Sequence, residues 1–210
     1  MRKIVVASSN PGKLREFQQM LAPLGIEIVP QSQLGIAEAD EPHATFVENA
    51  LAKARRASRL SSMPAFADDS GICAAALGGK PGVQSARFAG APPAGFPGGR
   101  EDQDRRNNEK LLTLLEGQAD RRAHYYCVIV LTRHGDDPEP VIAEGRWYGE
   151  LLNIPRGTNG FGYDPYFYLP EFGRTAAELG SEEKNAVSHR GKALAELMVK
   201  LRQARIMSDE

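Results

Sequence analysis

Two carboxylates stand side by side in Phe66-Ala67-Asp68-Asp69-Ser70-Gly71, where a short apolar run after Pro64 ends as a strand and meets Ser and Gly. Burying one ionised carboxylate without a partner is costly, and burying two neighbours is more so. A cation held between them, or a proton they share, would account for such a pair. The same residues also suit a solvated turn, because Asp, Ser and Gly favour turns for purely local reasons. The choice depends on what else the chain carries.

A second group is Ser8-Ser9-Asn10-Pro11-Gly12-Lys13, between the β-branched run Lys3 to Ala7 and a helical pattern. A strand, a small polar loop ending in Gly-Lys and then a helix is an arrangement that cradles phosphate. Backbone N–H groups at the helix start and a lysine charge converge on the anion. The longer loop and spaced glycines of the Walker A pattern are absent. An ordinary strand-to-helix turn uses the same residues. The third group is Gly157-Thr158-Asn159-Gly160-Phe161-Gly162-Tyr163-Asp164-Pro165. Its glycines let backbone approach a flat ligand and its aromatic rings can stack on one; a Gly-rich hairpin with incidental aromatics is the alternative. Lys184, His189 and Arg190 cluster near the last helix start, as surface charge or as donors to a ligand. Glu41, in an acidic loop with Glu38 and Asp40, could complete a cation site beside the aspartates.

These groups need elements to hold them. Leu14, Phe17, Leu21 and Leu24 recur at helical spacing, with Gly25 as a stop. Ile26 to Val29 predicts a second strand. Thr45-Phe46-Val47-Glu48 is a capping box that opens a helix to about Arg59, with Lys53, Arg55, Arg56 and Arg59 as a solvated basic face. The breaker-dense stretch from Ala91 to Gly99 predicts a mobile loop within one domain. Asp104 is placed to cap a helix from Arg105 to Glu116. Tyr125 to Thr132, a partner strand through Val141, Ile142 and Ala143, and a further short strand through Arg146-Trp147-Tyr148 predict an antiparallel meander. A helical turn at Ser181 to Lys184 precedes a last helix anchored by Leu194, Leu197, Met198 and Leu201.

At 210 residues, 41% hydrophobic and 25% charged, the chain suffices for one generous domain or two small lobes with a real core. A net charge of -1 gives no global pull toward nucleic acid or anionic membrane, so a phosphate site must be built locally. Nor is there a basic stripe interleaved with aromatics. Cys73 and Cys127 lie in apolar runs outside any metal or redox spacing, and read as small buried hydrophobes in a reducing compartment. Met1-Arg2-Lys3 leads straight into a strand, which is too short for a signal segment or a spanning helix. A cytoplasmic protein is the expectation.

Taken together, the motifs resemble the Ham1-like inosine/xanthosine triphosphate pyrophosphatase family. The resemblance covers nearly the whole chain. It rests on Ser8 to Lys13, Glu41 with Thr45 to Ala50, Ala67 to Gly71, Gly79-Lys80-Pro81-Gly82, Ser85-Ala86-Arg87, Phe161 to Pro165 and Ser188-His189-Arg190-Gly191. It implies an α/β fold, an elongated mixed β-sheet flanked by helices in two lobes with the active-site cleft between them, within one domain spanning 1–210. It also implies Mg²⁺-dependent hydrolysis of non-standard purine nucleoside triphosphates (ITP, dITP, XTP) to a monophosphate and pyrophosphate, usually by a homodimer. Residue by residue, Ser8, Ser9, Asn10, Pro11, Gly12 and Lys13 would bind the triphosphate. Glu41 and Asp69 would hold Mg²⁺, with Asp69 also the base for the attacking water and Asp68 its acidic neighbour. Ser70 would contact substrate, Phe161 would stack on the base with Gly162 and Tyr163 beside it, and Asp164 would touch the base or its surroundings. Lys184, His189 and Arg190 would read its edge. Lys and Arg are donors only, so they favour a keto oxygen at purine position 6 over an amino group. The stretch from about Ala91 to Gly99 departs from the family pattern as an insertion. A pyrimidine-preferring pyrophosphatase and a non-catalytic nucleotide-binding module are the competing readings.

Overall fold

The computed structural model describes residues 3–91 and 98–203, so most of the expected mobile loop (residues 92–97) lies outside the described residues. The strands are β1 (Lys3–Val6), β2 (Glu27–Pro30), β3 (Ala65–Ala74), β4 (Arg122–Thr132), β5 (Val141–Leu151), β6 (Phe167–Leu169) and β7 (Arg174–Thr175). They form one sheet in the order β2-β1-β3-β4-β5-β6-β7. β1 is parallel to both β2 and β3, whereas β5, β6 and β7 pair antiparallel. The helices are α1 (Pro11–Leu21), α2 (Phe46–Ser61), α3 (Arg100–Leu114), α4 (Ser181–Val187) and α5 (His189–Gln203). This is the expected mixed α/β sheet flanked by helices.

Contacts divide the chain into two compact units. The first is Met1–Asp69, Cys127–Gly145 and Ser188–Glu210; the second is Ser70–Tyr126 and Arg146–Val187. In the first, Ile4, Val6, Phe66, Ile129 and Leu131 of the strands pack with Phe17 and Leu21 of α1 and with Leu194, Leu197 and Leu201 of α5. Phe17 meets Phe66 edge to face at 5.0 Å. On α2, Ala50, Ala54 and Ala57 are buried. In the second unit, Tyr125, Trp147 and Phe167 form an aromatic cluster with centroids 4.8 to 5.4 Å apart for the pairs involving Phe167. Leu111 and Leu115 pack in the same core.

Three expected element boundaries are corrected, two of them because a glycine serves close approach instead of a turn. β3 does not end at the aspartates but runs on through Gly71 to Ala74. A Cβ on Gly71 would lie 2.2 Å from the Gly82 carbonyl oxygen and 2.4 Å from Ser85 Oγ, so the glycine admits a neighbouring chain. The two strands expected around Gly145 are one strand, β5; there a Cβ would come within 2.1 Å of the His189 carbonyl oxygen. Asp104 does not cap α3. The helix begins four residues earlier, at Arg100 after Gly99, and Asp104 falls in its second turn. Cys127 is buried as expected, whereas Cys73 is only half-buried; both are free thiols.

Candidate active site

Asp68 and Asp69 are buried at 1% and 3% exposure, in mid-strand. Successive residues of a strand point to opposite faces, and the two carboxylates have separate partners. Asp68 Oδ2 receives Lys13 Nζ of α1 at 2.8 Å and Arg190 Nη2 of α5 at 3.4 Å. Asp69 Oδ2 accepts from Asn49 Nδ2 of α2 at 3.0 Å, and Asp69 Oδ1 lies 4.0 Å from Lys53 Nζ of the same helix. Neither a shared proton nor a solvated turn describes this pair.

Their titration diverges accordingly. Burial alone would raise the Asp68 pKa, but the charges of Lys13, Arg190 and Lys53 outweigh it and hold the carboxyl well below the usual carboxylate range. For Asp69 burial prevails: opposed by Lys53 and reinforced by Glu41, it pushes the pKa up to about 6. The buried Cys127 thiol, 4.0 Å from Asp68 Oδ2, is pushed up to about 12 by burial and then by that carboxylate, which leaves it unreactive.

Two α2 residues belong to this site and were not among the sequence candidates. Lys53, expected on a solvated basic face, is 6% exposed. Its ammonium donates to Glu41 Oε1 and to the Asp68 main-chain oxygen, each at 2.6 Å. Opposing its own burial, Asp69, Asp68 and Glu41 raise its pKa, so it stays charged. A signal was present: Lys53 lies on the Ala50, Ala54, Ala57 stripe, three residues after Ala50. Asn49, fully buried, accepts from His43 N at 3.0 Å and donates to His43 O at 3.3 Å as well as to Asp69. One amide thus ties the Glu41 loop to the Asp69 carboxylate. Of the remaining basic residues of α2, Arg55 and Arg56 are half-buried and only Arg59 is exposed.

At the other expected phosphate element, Asn10 caps α1. Its Oδ1 accepts from Gly12 N at 2.9 Å and Lys13 N at 3.3 Å, and Pro11 contributes no N–H. Ser8 Oγ accepts from Asn10 N at 3.2 Å, and Ser9 is exposed. The first amides of α1 are therefore held by Asn10, and the positive charge offered to an anion there is that of Lys13. Arg190, 2% exposed, is clamped between Glu16 of α1 and Asp68, and His189 is buried beside it.

The second unit carries the aromatic loop. Asp164 Oδ2 accepts from Phe161 N at 3.0 Å and from Lys184 Nζ at 2.7 Å, and Asp164 Oδ1 accepts from Tyr125 O–H at 3.2 Å. Lys184 Nζ also lies 5.0 Å from the centre of the half-buried Phe161 ring. Tyr163 turns into the core and donates its hydroxyl to Ser85 O at 2.8 Å. Ser70, the next residue of β3 after Asp69, is half-buried.

Among the described residues no group of three or more His, Cys, Asp or Glu is arranged to hold a metal ion. A hard cation such as Mg²⁺ does not require one. It binds through one or two carboxylates, with waters and substrate phosphates completing an octahedron. Glu41 and Asp69 supply that many oxygen donors, and Glu41's charge contributes to the raised Asp69 pKa, a repulsion a cation would relieve. The donor set fits. No helix among the described residues is long and apolar enough to cross a membrane.

Comparison with known proteins agrees with this geometry. Residues 4–200 match the model of the Ham1 family. The chain is 63% identical over 202 residues to a dITP/XTP pyrophosphatase of Ralstonia nicotianae, covering 96% of this chain and 98% of that one. It is 64% identical over 198 residues to a dITP/XTP pyrophosphatase of Nitrosomonas europaea, covering 94% and 93%. Among solved structures, a HAM1 protein from Coxiella burnetii superposes with a TM-score of 0.85 at 46% identity, over 97% of this chain and all 100% of that one. A family model matched over nearly the whole chain and relatives at 63% and 64% identity decide the matter: the chain belongs to the Ham1 family.

Proposed function

We propose that the protein hydrolyses non-standard purine nucleoside triphosphates (ITP, dITP and XTP) to the nucleoside monophosphate and pyrophosphate. The observation that carries this reading is Asp69. It is a buried carboxylate whose pKa of about 6 suits a general base near neutrality, flanked by Lys53 and by Glu41. Water attacks the α-phosphorus, the bond from that phosphorus to the α–β bridging oxygen breaks, and pyrophosphate departs. The proton of the attacking water passes to Asp69. Lys13 supplies positive charge to the polyphosphate, and Asp68, locked as an anion, fixes the Lys13 ammonium at 2.8 Å. Glu41 and Asp69 would hold Mg²⁺, which supplies neutralisation of the leaving group.

Phe161 is assigned to stacking on the base, with Asp164 holding Lys184 where a donor favours a 6-keto purine over adenine. Arg190's contact with Glu16 and Asp68 supports a role in fixing Asp68 beside any role at the base edge. A homodimer in the cytoplasm, with no nucleic acid or membrane partner, completes the reading. Light scattering tests the dimer. The reaction is tested by pyrophosphate release from ITP, XTP, GTP, ATP and dTTP in parallel, with Mg²⁺ and then with EDTA. Rapid, EDTA-sensitive release confined to ITP and XTP is the expected result. Release from dTTP would overturn the purine assignment, and no release from any of them would leave a binding protein.

A further inference from the structure

We propose that Asp104 and Asn108 of α3 are positioning residues that fix Phe161 for the base; this rests on the stacking role given to Phe161 above. Both polar groups of the Gly162 main chain are taken by that helix. Asp104 Oδ2 accepts from Gly162 N at 3.0 Å, and Asn108 Nδ2 donates to Gly162 O at 2.9 Å. On its other side, Phe161 N donates to Asp164 Oδ2 at 3.0 Å. The backbone is thus gripped on both sides of the ring. Arg100, one turn before Asp104 on the same helix stripe, places its guanidinium 5.6 Å from the Phe161 ring centre.

Several observations set this apart from ordinary packing. The first nine residues of α3, Arg100-Glu101-Asp102-Gln103-Asp104-Arg105-Arg106-Asn107-Asn108, contain no apolar residue, yet Asn107 and Asn108 are buried. Asn108 also donates to Asp104 O at 2.8 Å, which links the two residues. Its own Oδ1 has no hydrogen-bond partner among the described residues, a desolvation cost that an apolar side chain would not carry. Gly162 has φ +66°, and a Cβ there would meet nothing within 4 Å. Glycine is therefore suited to that conformation, and its backbone freedom is what the two hydrogen bonds with α3 restrict. With the peptides on both sides of Phe161 held, the direction in which the side chain leaves the backbone is set before a base arrives. That lowers the ordering cost of binding.

The experiment is steady-state pyrophosphate release from ITP by the wild type, Asp104→Ala, Asp104→Asn, Asn108→Leu and Phe161→Ala, and by Asp104→Ala combined with Phe161→Ala. Asp104→Ala and Asn108→Leu are expected to raise KM about tenfold with a smaller change in kcat. Asp104→Asn, whose amide oxygen can still accept from Gly162 N–H, should return KM toward the wild-type value. In the Phe161→Ala background, Asp104→Ala should add nothing, because it acts through that ring. An unchanged KM in both single variants overturns the inference, and so does an equal rise of KM with or without Phe161. If Asp104→Ala does not fold, Asn108→Leu and its combination with Phe161→Ala decide the matter. A wild type that releases no pyrophosphate from ITP overturns the underlying reading and this inference with it.

Discussion

The ammonium of Lys53 lies 2.6 Å from the Glu41 carboxylate, so an acidic loop and a helix that looks basic in sequence meet in one largely buried ion pair. The same ammonium lies 4.0 Å from Asp69 Oδ1 and is the chief influence opposing the effect of burial on how readily Asp69 gives up its proton.

Lys53→Met removes that charge and leaves Glu41 and Asp69 repelling one another. Breaking a buried pair typically costs about 3–5 kcal/mol, and the partial exposure of Glu41 puts the expected loss at the low end. Urea unfolding measures it. Because Lys53 lowers the Asp69 pKa, the acid limb of the kcat/KM profile should also move to higher pH than in the wild type.

Asp69→Asn should retain ITP binding while kcat falls by about 10²–10⁴, the usual contribution of a general base. Calorimetric binding and single-turnover hydrolysis separate the two effects. A bound cation lowers the pKa of its carboxylate ligand, so in the wild type the acid limb of kcat/KM should lie below about 6 and move up toward it as Mg²⁺ is lowered.

The two aspartates should affect stability with opposite sign. Asp69 has a folded pKa of about 6 against 3.8 for the free group, so the native state holds a proton that the unfolded chain has released between those values. Stability therefore falls as pH rises through that window, by about 3 kcal/mol for this group at 1.36 kcal/mol per unit. In EDTA, Asp69→Asn should melt higher than the wild type at pH 7.5 and lose that advantage by pH 4. Asp68, held below its free value, contributes stability that is present above pH 3.8 and is lost as pH falls toward its folded pKa. Asp68→Asn should thus melt lower than the wild type at pH 7.5 and still do so at pH 4, where the Asp69→Asn advantage has gone, and calorimetry at the two pH values distinguishes the two groups.

Gly71→Ala should cost about 1–3 kcal/mol or more, since the added methyl would sit 2.2 Å from a main-chain oxygen that has no easy retreat. Denaturant midpoints check this directly.

Mg²⁺ should raise the melting temperature of the wild type and much less that of Asp69→Asn or Glu41→Gln. The test needs no substrate and reads the two proposed ligands apart from catalysis.

Elements fixed by local chemistry were legible in the sequence. The cap at Thr45 with Glu48 and the leucine stripe of α5 stand where their patterns placed them, whereas α1, expected to open at Lys13, starts two residues earlier at Pro11 behind the Asn10 cap. Gly71 and Gly145 were not, because a glycine needed for close approach is identical in sequence to one that turns the chain, and the approaching atoms come from distant segments. Lys53 was hidden among the arginines of α2, of which Arg55 and Arg56 are half-buried and only Arg59 is exposed. Asp104 was read as a cap because its helix starts earlier, at a glycine that offers no side-chain signal. Asp68 and Asp69 stood out in the sequence as adjacent carboxylates, with a solvated turn as the alternative, but their separation into one carboxylate held anionic and one that titrates higher depends on partners scattered over α1, α2 and α5.

The parity of β3 has a genetic corollary. With neighbours on opposite faces, deleting or inserting a single codon ahead of Asp68 within the strand would turn each carboxylate toward the other's partners. The first would then face Asn49 and Lys53, and the second Lys13 and Arg190. Point substitutions can adjust either group separately. A one-residue frame slip in this strand would exchange the anchor and the base in one step, even though every chemical group of the site was still encoded.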